Sequence, residues 1–295
     1  MKELDIKLGY NCNNKCLFCL NQDKRILSYS SEELKEQIKK SAESGCQRLI
    51  VSGGEPLIYG NFFEIIQYAK RCGIPSYEIQ TNGRMLSYEE VVKKIKEICV
   101  NVGFLVSFHY PNAEMYQKYS QVDGFDQVLK GLKNLQKNNL EFTTNTVLFK
   151  GNIDYLNQIF DILEKIGCKI SQLRFIDGTN VKEEFFDFVP KMEEVVPKIK
   201  EVILKHPNIK IYIHEIPYCL LGEELIKFIS PVPNVERENY NIRKSVLNSR
   251  EIVNQQFATP NCEECVYKNQ CVGIRKTYLE FYGDKEIKPI LKKYD

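Results

Sequence analysis

The sequence has no excess of charge of either sign and no long apolar run. Its 41 Lys and Arg residues nearly balance 39 Asp and Glu residues, for a formal net charge of +2. Nucleic-acid-binding surfaces are normally basic, so we expect no nucleic-acid partner. No apolar run reaches the length of a transmembrane helix, and the N-terminal MKELDIKLGY lacks a signal peptide's apolar core. The sequence therefore predicts a cytoplasmic protein with no membrane partner.

Histidine is also scarce, whereas cysteine is abundant. The chain has 3 histidines and 11 cysteines. Without a secretory signal, such cysteines indicate metal binding or redox chemistry in a reducing compartment rather than disulfides. One group of three lies between Cys12 and Cys19, and a second lies between Cys262 and Cys271. Lone cysteines such as Cys46 are expected to be inert, buried side chains.

Short apolar strands and amphipathic helices alternate six times between residue 4 and about residue 215. Such βα units imply a parallel sheet, either open or curled into a whole or partial barrel. Beyond residue 215 the periodicity fades, and a cysteine- and glycine-punctuated end indicates a small, metal-stabilised extension. We therefore predict an α/β domain over residues 1–215 and a smaller domain over residues 216–295.

Most of the chemically interesting stretches follow the first four predicted strands. They are CNNKCLFC (residues 12–19), SGGEP (52–56), TNG (81–83) and the segment from Ser107 to His109. Parallel sheets and barrels bind ligands at the carboxyl ends of their strands. We therefore expect these four stretches to meet at one site.

The first cysteine group has three potential ligands rather than four. A [4Fe–4S] cube has four irons, each wanting a terminal ligand, so Cys12, Cys16 and Cys19 would leave one iron open. A zinc ion would need a fourth residue, and no histidine lies nearby in sequence. In SGGEP, two glycines permit close backbone approach, and the Glu55 carboxylate could bind an amine. The alternative is an ordinary βα turn in which Pro56 starts the next helix.

These motifs together resemble those of the radical S-adenosylmethionine (SAM) superfamily, over roughly residues 4–180. The resemblance implies a partial (β/α)6 TIM-like barrel with a small C-terminal iron–sulfur extension. It also implies a [4Fe–4S] cluster on Cys12, Cys16 and Cys19, whose open iron binds SAM. The implied SAM contacts are Phe18 at the adenine, Gly53, Gly54 and Glu55 at the methionine amino group with Pro56 beside them, and Thr81 and Ser107.

The reaction implied by the resemblance is a radical one. Reductive cleavage of SAM gives a 5′-deoxyadenosyl radical, which takes a hydrogen from an unactivated carbon. The electron would come from an external flavodoxin- or ferredoxin-type donor, under reducing and anaerobic conditions. The sequence identifies no catalytic acid or base. We expect His109 and Tyr110 at the polar rim of the site, and the alternative is that they donate protons or pack on the substrate.

The second cysteine group resembles the auxiliary-cluster extensions called SPASM and its shortened form, twitch. Cys262, Cys265 and Cys271 form CxxCx5C, and Cys219 lies upstream in IPYCLLGEE. By this resemblance, the four cysteines hold one auxiliary [4Fe–4S] cluster. A structural zinc, with Cys219 or His214 as the fourth ligand, is the alternative. If Cys219 is not a ligand, the auxiliary cluster itself has an open iron.

The substrate is the least determined part of the prediction. Enzymes with such extensions commonly cross-link, oxidise or epimerise peptides or form thioethers in them. Peptide modification is therefore the first prediction, with a separate peptide-delivery protein as a partner. The second is a small molecule such as a cofactor precursor, because NTVLFKGN (residues 145–152) resembles the enzyme that begins molybdenum-cofactor synthesis.

Three differences count against that second identity. Thr143 stands where that enzyme has a lysine, the end KKYD lacks its double glycine, and the tail cysteines are spaced differently. A third class, a non-enzymatic metal-cluster sensor, would not need Gly53, Gly54 and Glu55 beside the first cysteines.

Overall fold

The computed structural model describes residues 1–176, 186–230, 236–240, 245–248 and 259–293. The strands in these residues are β1 (Lys2–Lys7), β2 (Arg48–Ser52), β3 (Ser76–Thr81), β4 (Val102–Ser107), β5 (Phe142–Leu148), β6 (Ile170–Phe175), β7 (Lys210–His214), β8 (Glu236–Tyr240) and β9 (Ser245–Asn248). The α-helices are α1 (Ser31–Glu43), α2 (Phe62–Arg71), α3 (Glu89–Ile98), α4 (Ala113–Ser120), α5 (Phe125–Lys137), α6 (Leu156–Lys165), α7 (Met192–Lys205), α8 (Tyr218–Ile226) and α9 (Lys276–Tyr282).

The strands form one sheet, in the order β7-β6-β5-β4-β3-β2-β1-β8-β9. Strands β1 to β7 pair in parallel with their sequence neighbours, as in the register Leu4↔Leu49 between β1 and β2. The predicted parallel α/β architecture is therefore confirmed. Within the described residues β7 and β9 stand at opposite edges, as in a partial rather than a closed barrel.

Alternation of side chains along the strands separates the core from the site. On β3, Tyr77, Ile79 and Thr81 are buried, whereas Glu78 and Gln80 are half-buried. Successive strand residues face opposite sides of a sheet. The apolar side packs against helix residues such as Ile65 and Ile66, which are fully buried. The other face of β3 carries the polar side chains of Glu78 and Gln80.

Several elements, among them helix α4 and strand β8, were not predicted from the sequence. Helix α4 begins after Asn112, whose side-chain oxygen accepts a hydrogen bond from the Met115 N–H at 2.9 Å. Strand β8 pairs in parallel with β1 although its sequence, ERENY, is polar. The Arg237 guanidinium donates two hydrogen bonds, at 2.9 and 2.7 Å, to the buried Glu3 carboxylate. The Arg237–Glu3 ion pair thus replaces the apolar contacts that would make a strand recognisable from its sequence.

Strand β8 lies in the main sheet although it follows residue 215. The predicted division into residues 1–215 and 216–295 stays a prediction. Part of that second segment contributes to the parallel sheet, because β8 pairs with β1. None of the described helices is both long and apolar enough to cross a membrane.

Candidate active site and a second cysteine cavity

The loop of Cys12 to Cys19 follows β1 and is held by the end of α4. The Lys15 N–H donates to the Ser120 carbonyl oxygen at 2.8 Å, and the Leu17 N–H donates to the Tyr119 carbonyl oxygen at 2.9 Å. The last carbonyl groups of a helix have no partner within the helix. The unpredicted helix α4 therefore supplies the acceptors that fix the path of the cysteine loop.

The glycines of SGGEP are required by close contact with this same loop. The Gly54 N–H donates to the Gly9 carbonyl oxygen at 2.9 Å. A Cβ on Gly53 would lie 2.1 Å from the Gly9 oxygen, and one on Gly54 would lie 2.1 Å from the Asn11 oxygen. Gly53 also has a φ of 134°, which strains residues with a side chain. The two glycines thus allow the backbone after β2 to contact the backbone of residues 9–11, which lead directly into the cysteine loop.

Glu55 ties the ends of β2 and β3 together. Its carboxylate accepts hydrogen bonds from Thr81 Oγ1 at 2.7 Å, the Asn82 N–H at 2.7 Å and the Leu57 N–H at 3.1 Å. Burial raises the pKa of Glu55 to about 7, against the effect of these three donors. Glu55 and Pro56 do not line the cavity described next. Thr81 and Asn82, which donate hydrogen bonds to the Glu55 carboxylate, do line it.

A cavity of about 330 Å³ opens at the carboxyl ends of the strands. The structure brings eight of the predicted residues to its wall: Cys12, Cys16, Phe18, Cys19, Gly53, Gly54, Thr81 and Ser107. The wall also contains apolar side chains, among them Phe108, Val147 and Ile176. The four stretches that follow the first four strands therefore do converge on one site, as predicted.

The three thiols of this cavity are all partly buried. Cys12 Sγ accepts a hydrogen bond from the Asn14 N–H, and Cys19 Sγ accepts one from the Asn21 N–H, both at 3.4 Å. Burial, with the charges of Cys19 and Cys12, raises the pKa of Cys16 to about 12. Thiolates so placed need a cationic partner.

Among the described residues, no three His, Cys, Asp or Glu side chains are gathered so as to hold one metal ion. The three thiols of this cavity therefore do not form a single-ion site in the described structure.

His109 and Tyr110 lie deeper than predicted. Tyr110 is only 2% exposed, so the expectation of a polar rim residue is wrong for it. His109 is partly buried, and its ring meets the ring of Phe18 edge-on at 5.5 Å. The Val147 N–H donates to His109 Nδ1 at 3.2 Å, which leaves the ring proton on Nε2 when the imidazole is neutral. Burial lowers the pKa of His109 to about 4, so the neutral form prevails.

Sequence reasoning missed a polar group of residues that brace the cysteine loop. Arg84 donates to the Asn13 carbonyl oxygen at 2.5 Å and to Asn14 Oδ1 at 3.1 Å. Asn14 Nδ2 also donates to the Tyr116 hydroxyl at 2.9 Å. Asn82, directly after Thr81, reaches Asn13 Oδ1 at 2.7 Å. Of these residues, only Asn82 belonged to a motif noted in the sequence, as the middle residue of TNG.

A second cavity, of about 260 Å³, contains the other predicted ligands. Cys219, Cys262, Cys265 and Cys271 all line it. The N–H groups of Tyr218 and Gly273 each donate to Cys271 Sγ at 3.4 Å. Burial, together with the charges of the other three cysteines, raises the pKa of Cys219 to about 11. The fold thus brings Cys219 beside the tail cysteines, whereas His214 is not in the wall of this cavity.

One acidic residue connects the two regions. Arg174, on β6, lines the first cavity and donates to Glu215 Oε1 at 3.0 Å. Arg275, just before α9, donates to Glu215 Oε2 at 2.9 Å. Glu215 therefore joins the wall of the first cavity to the segment that follows the second cysteine group.

Sequence comparison provides a family and named relatives. A family model described as the radical SAM superfamily matches residues 6–164. The chain is 28% identical, over 240 residues, to a protein named Probable GTP 3',8-cyclase from Sulfurisphaera tokodaii, covering 79% of this chain and 74% of the relative. It is also 28% identical, over 188 residues, to an AdoMet-dependent heme synthase from Methanosarcina barkeri, covering 62% of this chain and 53% of that one.

Solved structures agree on the fold. The structure described as native anSMEcpe with bound AdoMet aligns with a TM-score of 0.69 and 18% identity, over 92% of this chain and 88% of that one. A form of anSMEcpe with AdoMet and the Kp18Cys peptide aligns with a TM-score of 0.59 and 19% identity, over 71% of this chain and 63% of that one. At such identities the similarity establishes the fold alone.

Proposed function

The chain belongs to the radical SAM superfamily, and we propose that it uses SAM to abstract a hydrogen atom from a small molecule of the cofactor-precursor kind. The observation that carries this proposal is the alignment with a GTP 3',8-cyclase relative over 79% of the chain. That alignment, over 240 residues, is longer than the stretch of residues 6–164 that the family model matches. The heme synthase relative likewise acts in cofactor chemistry by its name.

The first cavity contains the groups that SAM chemistry needs. Cys12, Cys16 and Cys19 would hold the [4Fe–4S] cluster, which when bound would supply one electron to the sulfonium of SAM. Gly53 and Gly54 bring backbone polar groups to the wall, and Phe18 offers an apolar face for the adenine. The contact of Glu55 with the methionine amino group stays a prediction, since its carboxylate is outside that wall.

The wall also suits the radical step. Phe108, Val147 and Ile176 present carbon surface to the cavity, which keeps water away from a reactive carbon centre. Bound SAM would supply a 5′-deoxyadenosyl radical: cleavage of its sulfur–carbon bond would take up one electron and release methionine. Hydrogen-atom transfer from the substrate would then give 5′-deoxyadenosine and a substrate radical.

The substrate is proposed to be anionic. Arg174, which also pairs with Glu215, lines the first cavity. Lys268, which also pairs with Glu263, and Lys288 line the second. Guanidinium and ammonium groups are the usual partners of phosphate and carboxylate groups. A nucleotide such as GTP is therefore the first compound to test. Thr143 stands where the enzyme that begins molybdenum-cofactor synthesis has a lysine, so other anionic precursors are tested beside it.

The second cavity is proposed to hold an auxiliary [4Fe–4S] cluster on Cys219, Cys262, Cys265 and Cys271. The support is that the four thiols share one cavity while no described set of residues is arranged for a single metal ion. This arrangement favours a cluster over the structural zinc. A SPASM- or twitch-like origin of the segment stays part of the proposal.

The test is SAM cleavage by the anaerobically reconstituted protein with dithionite, followed by mass spectrometry of 5′-deoxyadenosine. We expect wild type to form 5′-deoxyadenosine, and GTP or another anionic precursor to increase its rate. Cys16→Ala should reduce formation at least a hundredfold, because the cluster loses one of its three protein ligands. Cys99→Ala is the matched control, since Cys99 is a buried thiol that lines neither cavity.

Other outcomes separate the competing functions. Formation of no 5′-deoxyadenosine by wild type would favour a metal-cluster sensor. If a precursor peptide increases 5′-deoxyadenosine formation and anionic small molecules do not, peptide modification is the favoured function. A flavodoxin or ferredoxin that replaces dithionite in this assay would support the predicted electron donor.

A further inference from the structure

His109 is held on the wall of the first cavity with its imidazole in a single tautomer. It follows β4 and lines the cavity, and the backbone N–H of Val147 on β5 donates to its Nδ1 at 3.2 Å. A backbone N–H can only donate, so Nδ1 carries no proton and the proton of the neutral ring lies on Nε2. A protonated ring would set a second donor against the Val147 N–H. The hydrogen bond therefore favours the neutral imidazole, in agreement with the low pKa that burial gives His109.

Asn152 fixes the backbone on both sides of this hydrogen bond. Its Nδ2 donates to the His109 carbonyl oxygen at 3.1 Å and to the Val147 carbonyl oxygen at 2.8 Å, and Asn152 is itself fully buried. One amide thus connects the residue that carries the ring to the residue that supplies the N–H. A ring held in this way loses little further freedom when a ligand binds, which preserves the free energy of any contact it makes.

The Nε2–H group is the donor that His109 can offer to a ligand. No hydrogen bond joins Nε2 to another of the described residues, and the His109 side chain is only half-buried. The neighbouring Tyr110 hydroxyl also has no partner, but it is sealed in by packing. His109 therefore differs from Tyr110 in that its free polar group belongs to a side chain that remains partly accessible.

The surroundings of this donor suit a flat, neutral molecule better than an anion. The ring of Phe18 meets the imidazole edge-on at 5.5 Å, and the ring of Tyr110 meets it edge-on at 5.7 Å. Flat heterocycles pack well against aromatic rings. A neutral imidazole brings no charge to offset the desolvation of a phosphate or carboxylate. The ring nitrogens and carbonyl oxygens of purines are neutral acceptors that fit this wall.

We propose that His109 Nε2–H donates a hydrogen bond to an acceptor atom of a purine in the first cavity, which makes His109 a residue that determines specificity for that purine. The inference rests on the proposed function, because SAM and the nucleotide first proposed as substrate each carry a purine. The contact of His109 with Phe18, the residue expected at the adenine, favours the adenine of SAM. His109 orients the base and takes no part in bond cleavage.

The experiment removes the donor and the acceptor separately and together. Dissociation constants of SAM and of its 1-, 3- and 7-deazaadenosyl analogues are measured by anaerobic equilibrium dialysis with the reconstituted protein. A second series uses GTP and its 3-deaza, 7-deaza and 6-deoxo analogues, each of which lacks one acceptor of the base. His109→Asn keeps an oxygen that can accept the Val147 N–H but has no group at the position of Nε2. His109→Phe is a second variant without the donor, for use if His109→Asn takes up too little iron.

We expect wild type to bind one analogue about tenfold more weakly than its parent ligand, which is the effect of one neutral hydrogen bond. His109→Asn should bind that analogue and its parent equally well. A ratio lost in the SAM series assigns the hydrogen bond to adenine, and one lost in the GTP series assigns it to the substrate base. Tyr119→Phe is the matched control, because Tyr119 belongs to the same aromatic group but does not line the cavity. It should keep the wild-type ratio.

Two results at equal iron content would overturn the inference and leave the proposed function in place. One is a wild-type protein that binds every analogue as tightly as its parent ligand. The other is a donor-free variant that keeps the wild-type ratio, since a merely structural role weakens parent and analogue alike. A wild-type protein that takes up no [4Fe–4S] cluster or binds no SAM would instead overturn the proposed function itself.

Discussion

At the scale of single residues, Glu55 shows how one side chain can organise two loops. It is 2% exposed, and its carboxylate accepts three hydrogen bonds from the turn after β2 and from the end of β3. The sequence indicated a carboxylate for a ligand amine at this position. The structure shows that the Glu55 carboxylate oxygens also connect the SGGEP segment to Thr81 and Asn82 through hydrogen bonds.

The raised pKa of Glu55 predicts a pH-dependent stability. The ordinary carboxyl pKa of 4.5 becomes about 7 in the fold, so the folded state favours the protonated acid. Relative to Glu55→Gln, wild type should have its greatest unfolding free energy below pH 4.5. That advantage should fall by roughly 2–4 kcal/mol as the pH rises through 7. Denaturant unfolding of the metal-free protein at pH 5, 6, 7 and 8 measures the difference.

The control for this prediction is Glu97→Gln, at an exposed position on α3. It should follow wild type at every pH, because its carboxylate is solvated. A constant difference between wild type and Glu55→Gln from pH 5 to 8 would contradict the assigned burial effect.

At the scale of elements, the site depends on contacts between segments that follow different strands. The cysteine loop after β1 is held on one side by the carbonyl groups of α4 and on the other by the glycines after β2. Arg84 adds a third support through Asn13 and Asn14. The position of the three thiols is therefore set by three elements rather than by the loop's own sequence.

Gly54→Ala should disrupt this arrangement at the contact between β2 and the cysteine loop. The added methyl group would lie 2.1 Å from the Asn11 oxygen and 2.4 Å from the Tyr10 oxygen, and backbone atoms cannot move away as a flexible side chain can. Overpacking of this kind costs about 1–3 kcal/mol or more. We expect iron uptake at the first site to be at least halved and SAM cleavage to be lost. Iron analysis and the 5′-deoxyadenosine assay measure both effects.

Gly60→Ala is the matched control for Gly54→Ala. A Cβ at Gly60 meets no atom within 4 Å, and this glycine is exposed. Normal iron content and SAM cleavage in Gly54→Ala would refute the role given to the backbone contact.

At the scale of the whole molecule, two cysteine cavities lie in one chain and are joined through Glu215. Arg174 belongs to the wall of the first cavity, and Arg275 follows the cysteines of the second. Anionic groups of a substrate could be met by Arg174 on one side and by Lys268 and Lys288 on the other. The proposed small-molecule chemistry thus draws on both ends of the chain.

The double variant Cys262→Ala, Cys265→Ala tests whether the two sites are independent. If each site holds a four-iron cluster, iron should fall from about eight to about four per chain. The SAM-responsive signal of the first site should persist, because its three cysteines are untouched. Unchanged iron with loss of zinc would contradict the auxiliary cluster and support the structural zinc.

The sequence by itself determined the parallel α/β architecture and both cysteine groups. Hydrophobic periodicity and short motifs are local, and parallel strands must bring the stretches after them to one edge. Only the tertiary structure decided that α4 holds the cysteine loop, that the polar strand β8 joins β1, and that Tyr110 is buried. It also brought Cys219 to a cavity with cysteines more than 40 residues further along the chain. These features arise from contacts between distant segments and from ion pairs and backbone carbonyl groups, which leave no periodic pattern in the sequence.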